Sequence, residues 1–255
     1  MARTDRLTAS EIRFERYLAT HGYSFEKLDE ANTGRPSPDY LIARGTSSAI
    51  CEVKQFEDSP LERWSRGGGG FLAQSAKRHL DPIRNKIGKA SRQLRAHLDS
   101  GLPLVVVLSN PHHVAVGLRP DDIAMAMCGD PTLTMAIDSE GEAGSAVMAY
   151  GFNGKLTNHH SHISAVVTLD PSGDWEENWL RDRGDEARLF SEQMVILDQA
   201  RRSGDAPPGE HLAASVVETP SAVEGTAVRL PSDLFDGPLD RVWSWDDDGV
   251  QVRLR

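Results

Sequence analysis

Polar and apolar positions change period along the first 110 residues, and that change lays out a succession of elements. Thr8 followed three residues later by Glu11 is a capping-box pattern, and it opens a helix that runs to about His21 and stops at Gly22. A polar stretch, Asn32 to Pro38, then leads into Asp39-Tyr40-Leu41-Ile42, which reads as a strand. Ala43 to Ser48 is its turn and Ala49 to Lys54 the returning strand. Glu57 to Gly70, ending in four glycines, reads as a flexible loop. Asp81 as N-cap and Pro82 at the first helical position predict a second helix, whose apolar residues Ile83, Ile87, Ala90, Leu94 and Leu98 keep helical spacing. Gly101 and Pro103 end it, and Leu104 to Ser109 is the continuous apolar run of a central strand.

Further on the pattern thins. It predicts a short helix at Asp121 to Met127, a strand at Thr132 to Ile137 and a stronger strand at Ile163 to Leu169. Trp175 to Arg201 reads as helical although Gly184 interrupts it, and Ser203 to Pro208 as a linker. Alternation on both sides of Asp248-Gly249 predicts a terminal β-hairpin.

Composition narrows the class without naming a function. A chain of 255 residues with 39% hydrophobic content can bury a core, and no 18-residue apolar run suggests a membrane span. The N-terminus lacks the apolar segment and cleavage site of a secretory signal, so a cytoplasmic location is expected. Cys51 and Cys128 are too few for a disulfide framework or a zinc site and read as buried thiols. The net charge of −10 argues against coating nucleic acid by bulk electrostatics. Yet Lys77, Arg78, Arg84, Lys86, Lys89, Arg92 and Arg95 form a basic track opposed only by Asp81.

Strand alternation puts Glu52 and Lys54 on one face, with Cys51 and Val53 on the other. The hairpin brings Asp39 toward the first pair. Two carboxylates near one point repel unless a cation lies between them, and hard oxygen donors without His or Cys favour Mg²⁺ or Mn²⁺ over zinc. Glu52 lies in Ala-Ile-Cys-Glu-Val-Lys, whose apolar neighbours imply a buried strand. A buried charge without partner or metal costs several kcal/mol. A solvated strand face would not need such a setting.

Pro38-Asp39, twelve intervening residues and Glu52-Val53-Lys54 resemble the signature of the PD-(D/E)xK nuclease superfamily, and the order of elements over residues 8–110 resembles its core as well. The resemblance implies an α/β, restriction-endonuclease-like core with a central mixed β-sheet flanked by helices. It implies hydrolysis of phosphodiester bonds, with Asp39, Glu52 and the backbone carbonyl of Val53 holding Mg²⁺ and Lys54 orienting and activating the attacking water. A Glu on the first helix often points at the metal in that family. Glu15 is the candidate here, because on a helical wheel it shares an arc with Ile12, Phe14, Leu18 and Ala19, opposite Arg13, Arg16 and Thr20, whereas Glu11 already serves the capping box.

The helix after the Glu-x-Lys strand often adds a polar residue to the site or to its phosphate contacts. Lys86, Lys89 and Gln93 occupy one flank of the second helix and are candidates for it, as are Arg63 and Arg66 in the loop before it. These five form the expected nucleic-acid contacts, with DNA ahead of RNA. Arg66-Gly67-Gly68-Gly69-Gly70 lacks the ending of a phosphate-binding loop, so ATP is not indicated. The histidines at 112, 113, 159, 160 and 162 suit loops or strand ends, and Asp246-Asp247-Asp248 suits a turn. The expected organisation is a nuclease-like domain over residues 1–170, then a helical segment, linker and hairpin over 171–255 packed on it. Cutting both strands of a duplex would call for a homodimer or a partner subunit, and an inactive nuclease fold serving in a larger assembly is the alternative function.

Overall fold

The computed structural model describes residues 7–28, 37–56, 76–110, 118–137, 142–153, 160–172, 211–246 and 249–253. The glycine loop with Arg63 and Arg66, the expected helix Trp175 to Arg201 and the linker Ser203 to Pro208 lie outside these residues. Within them the chain is α/β. An eight-stranded mixed sheet runs in the order β1-β2-β3-β4-β7-β8-β9-β10, and a two-stranded sheet pairs β5 with β6. The strands are β1 (Ser24–Lys27), β2 (Tyr40–Arg44), β3 (Ser47–Gln55), β4 (Leu104–Ser109), β5 (Gly129–Ile137), β6 (Ala143–Asn153), β7 (Ala165–Ser172), β8 (His211–Glu218), β9 (Arg241–Asp246) and β10 (Gly249–Arg253). The helices are α1 (Ala9–Thr20), α2 (Ala76–Leu94), α3 (Pro120–Cys128) and the single turn α4 (Pro220–Val223). No helix among the described residues is long and apolar enough to cross a membrane.

The predicted hairpin forms as β2 and β3, with Tyr40 opposite Cys51. β3 then runs parallel to β4, Glu52 opposite Val106. A parallel pair needs a crossover, and α2 supplies it, so the sheet is covered where the pair lies. Alternation divides the side chains into two cores. Cys51, Val53, Val105 and Val107 join Tyr40 and Ile42 beneath Phe14, Tyr17 and Leu18 of α1. Ile50, Leu104, Val106 and Leu108 face Ile83, Ile87, Ala90 and Leu94 of α2. Each of these four α2 side chains is fully buried, and such burial stabilises by about 1.5–3 kcal/mol per large side chain.

Several boundaries depart from the sequence pattern. The capping box at Thr8 and Glu11 is present, both hydrogen bonds included. The buried side of α1, however, comprises Ala9, Ser10, Arg13, Phe14, Tyr17 and Leu18. Arg13 thus lies inside and Ala19 outside, because a hydrophobicity count discards long residues with polar tips. α2 begins at Ala76, so Asp81 is not its cap and Pro82 is interior. At its other end a 3-10 turn, Arg95–Ser100, takes over, which leaves Leu98 exposed. β1 escaped notice: its four residues are all exposed, so alternation leaves no trace. β5 begins three residues ahead of the expected Thr132 start and pairs with β6, which the sequence pattern did not reveal.

The C-terminal strands belong to the same sheet. β7 pairs antiparallel with β8, β8 parallel with β9, and β9 antiparallel with β10 in the expected hairpin. Asp240 ties this half to α1. Its Oδ1 accepts from the Ala214 backbone N–H at 2.6 Å, and its Oδ2 from that of Gly237 at 2.7 Å and from the Tyr17 hydroxyl. Burial and the adjacent Asp240 charge push the Tyr17 hydroxyl well above its ordinary pKa, so it remains a donor. The approach at Gly237 is close: a Cβ there would lie 2.5 Å from His21 Nε2 and 2.8 Å from Asp240 Oδ2.

Asp240→Ala would leave two backbone N–H groups and a buried hydroxyl without their acceptor. It is expected to destabilise the fold by about 3–5 kcal/mol, read from the urea midpoint at constant m. A loss under about 1 kcal/mol would show that water replaces the carboxylate and that Asp240 is not the tie described.

Candidate active site

Glu52 is completely buried in the middle of β3, on the α2 side of the sheet. Its Oε1 pairs with Lys54 Nζ, two residues on and therefore on the same face. Its Oε2 is buried with no hydrogen-bond partner. Asp39 sits in a bend immediately before β2, and its Oδ2 accepts from the Val53 backbone N–H at 2.8 Å. That bond docks the start of one strand on the middle of the next. The three residues of the Asp…Glu-x-Lys pattern are brought together.

The electrostatics of the pair are those of crowded carboxyls. Burial first, and then the charge of Asp39, push the Glu52 carboxyl from 4.5 up to about 8, while Lys54 and the Asp39 backbone N–H pull it down. Asp39 is raised as well, chiefly by burial and further by Glu11, against the lowering effects of the Val53 N–H, of Lys54 and of a hydrogen bond with the Glu52 carboxyl. Cys51, on the opposite face, is pushed up by burial and by both carboxylates, so its thiol stays protonated. It is buried and free, as is Cys128.

Gln93, on the last turn of α2, reaches the same place. Its Oε1 accepts from Lys54 Nζ at 2.7 Å, and its Nε2 donates to the Ser37 carbonyl at 3.3 Å. Lys86 and Lys89 share its flank of α2, Lys86 half-buried and Lys89 exposed. Ser91 points elsewhere, to His160 Nδ1 at 2.5 Å and His162 Nε2 at 3.1 Å, so His160 is a half-buried partner of α2 rather than a surface residue.

Glu15 has a different neighbourhood. Its Oε1 accepts from the Tyr40 hydroxyl at 2.9 Å and lies 3.3 Å from Lys27 Nζ. Tyr40 belongs to the α1 side of the sheet, whereas Glu52 and Lys54 face α2. The charge on α1 that acts on Asp39 is that of Glu11, which keeps its capping-box bond to the Thr8 N–H at 2.7 Å. Sequence reasoning passed over Glu11 because the cap gave it a role. It also missed Lys27, on the unrecognised β1, and Ser37, which contributes only a carbonyl and so leaves no sequence signal.

The donor set fits a hard divalent cation. Glu52 Oε2 is a buried oxygen without a hydrogen-bond partner among the described residues, the Asp39 charge acts on the Glu52 carboxyl, and no histidine or thiol among the described residues offers a softer alternative at this point. Asp39, Glu52 and the Val53 carbonyl would hold the ion. Among the described residues no group of three or more His, Cys, Asp or Glu side chains has metal-binding geometry, so two carboxylates and main-chain oxygen would need water or substrate to complete the coordination. No protein family, no curated protein and no solved structure matches the chain.

The raised Glu52 carboxyl gives a signed pH dependence. Between 4.5 and about 8 the native protein holds a proton that the unfolded chain has released, so cation-free stability falls as pH rises through that window. A divalent cation displaces the proton, so its affinity should rise over the same range. Urea midpoints from about pH 5 to pH 8.5 should show both trends, and Glu52→Gln should flatten the first and abolish the second. Parallel profiles for wild type and Glu52→Gln would show that Glu52 is not the titrating group.

Proposed function

We propose that this chain is a Mg²⁺-dependent nuclease with a restriction-endonuclease-like catalytic core, hydrolysing phosphodiester bonds of DNA. The observation that carries the reading is the convergence of Asp39, Glu52 and Lys54 around a buried carboxylate oxygen that has no hydrogen-bond partner. A carboxylate placed this way is costly in a purely structural role, because removal of its charge from water goes uncompensated at Oε2. A cation would compensate it.

The work divides among the residues by their chemistry. Asp39 and Glu52 supply hard oxygens, and the Val53 N–H fixes the orientation of Asp39. A bound Mg²⁺ supplies Lewis-acid polarisation of the scissile phosphate and charge neutralisation at the leaving oxygen. Lys54 is 19% exposed at its side chain, so its ammonium can meet a water arriving from solvent and orient it. Lys86 and Lys89 offer the phosphate backbone cations beside the site, which contribute affinity more than sequence preference. Glu15 is kept as a contributor only through Tyr40 and Lys27, its present partners.

A plasmid-nicking assay with Mg²⁺, repeated with EDTA, tests the reading. Wild type should nick only with the metal, and Asp39→Ala and Lys54→Ala should each lose on the order of 10³-fold or more in rate. Equal activity in all three proteins would remove the assignment of the site. Binding of DNA by wild type without cleavage would mark an inactive nuclease fold acting as a binding subunit.

A further inference from the structure

Gln93 touches both halves of the site. Its amide is half-buried, and the chemistry of its partners fixes which way it points. The oxygen must face the Lys54 ammonium, which can only donate, and the nitrogen must face the Ser37 carbonyl, which can only accept. Ser37 lies two residues before Asp39, so one amide joins the segment that delivers Asp39 to the strand that carries Lys54. α2 holds the amide firmly: Ala90 and Leu94, on either side of it, are fully buried. Ser91 is fixed separately by His160 and His162.

We infer that Gln93 is a positioning residue for Lys54 rather than a contact to the nucleic-acid backbone. Among the described residues Lys54 meets two acceptors, Glu52 Oε1 and Gln93 Oε1. When a cation takes up the Glu52 carboxylate, the ammonium loses much of its attraction to that acceptor. Gln93 remains, neutral and on a rigid helix. It keeps the ammonium at the edge of the site, where a water can be oriented, and prevents it from swinging into solvent. The inference rests on the nuclease reading for its kinetic consequence, but the contact itself does not.

Two substitutions separate the halves of the amide. Gln93→Met is close in volume and removes both bonds. Gln93→Glu keeps an acceptor for Lys54 and removes the donor to Ser37. With Mg²⁺ and a DNA substrate, Gln93→Met should lower kcat by roughly 10- to 100-fold with KM changed less than about 3-fold. Gln93→Glu should recover most of that loss. Amide hydrogen exchange across residues 37–40 should quicken in both variants, because both lose the Ser37 bond. In ¹⁵N spectra of the lysine ammonium groups, the Lys54 signal should persist in wild type and Gln93→Glu and broaden in Gln93→Met. If kcat instead falls equally in both variants, following hydrogen exchange, Gln93 is a structural brace and the inference fails. A persistent Lys54 signal in Gln93→Met also overturns it. Wild type that cleaves nothing while the ammonium signals behave as stated sinks the nuclease reading and leaves the Lys54 contact standing.

Discussion

A carboxylate buried at the centre of a sheet is the constraint around which this molecule is arranged. Glu52 is 0% exposed, and the dehydration follows from topology: β3 and β4 are parallel, a parallel pair requires a crossover, and the crossover helix α2 covers the face to which Glu52 points. A carboxyl in that position is expensive as an anion. Three devices lessen the expense in the cation-free protein: the Lys54 ammonium, the rise of the Glu52 pKa to about 8, and the anchoring of Asp39 on the Val53 N–H so that its charge is partly compensated. None of them satisfies Glu52 Oε2.

The triplet was legible because both of its signals are local. Alternation along β3 places Glu52 and Lys54 together, and the short β2–β3 turn returns the chain to Asp39. The α2 stripe at Ile83, Ile87, Ala90 and Leu94 was legible for the same reason, and with it the flank that carries Gln93. What escaped depends on partners distant in sequence. The start of α2 was misplaced because Asp81-Pro82 imitates a helix beginning, whereas Pro82 lies inside the helix, where its missing N–H costs one backbone bond. β1 has no buried residue to reveal it, being held by the backbone of β2. The orientation of α1 turned on Tyr17, which is buried because its hydroxyl meets Asp240, 223 residues away. No helical wheel contains that information.

The far half of the chain consequently bears on the site, though it supplies none of the residues discussed there. α1 is pinned by Tyr17 to Asp240, and Phe235, whose backbone N–H donates to the Tyr23 hydroxyl, stacks on Tyr17 with centroids 6.0 Å apart. At the other end of the helix, the Ser10 hydroxyl donates to the Ser109 carbonyl at 3.2 Å, and the Ser10 N–H to Gln55 Oε1 at 3.1 Å. These bonds set the helix start at the ends of β3 and β4. They therefore fix where Glu11 lies relative to Asp39.

The placement of Glu11 deepens the negative local field. A helix start ordinarily presents N–H groups and a partial positive charge, which would ease the crowding of two carboxyls. Here the capping box consumes part of that potential: Glu11 closes on the Thr8 N–H and sets a third carboxylate where it raises Asp39. Among the described residues, the ammonium of Lys54 stands against the carboxylates of Asp39, Glu52 and Glu11, so this cluster is net negative whenever Glu52 is ionised. An anionic substrate would be repelled from such a pocket. On the nuclease proposal, the approach of a phosphodiester would therefore be helped by a positive charge within the cluster itself, beyond that of Lys86 and Lys89 beside it. A divalent cation held by Asp39 and Glu52 would cancel the negative charge that the three carboxylates leave over the one ammonium, release the proton from Glu52 and lift the repulsion of phosphate. On the nuclease proposal, a cation bound first would therefore assist association of the substrate as well as the chemical step.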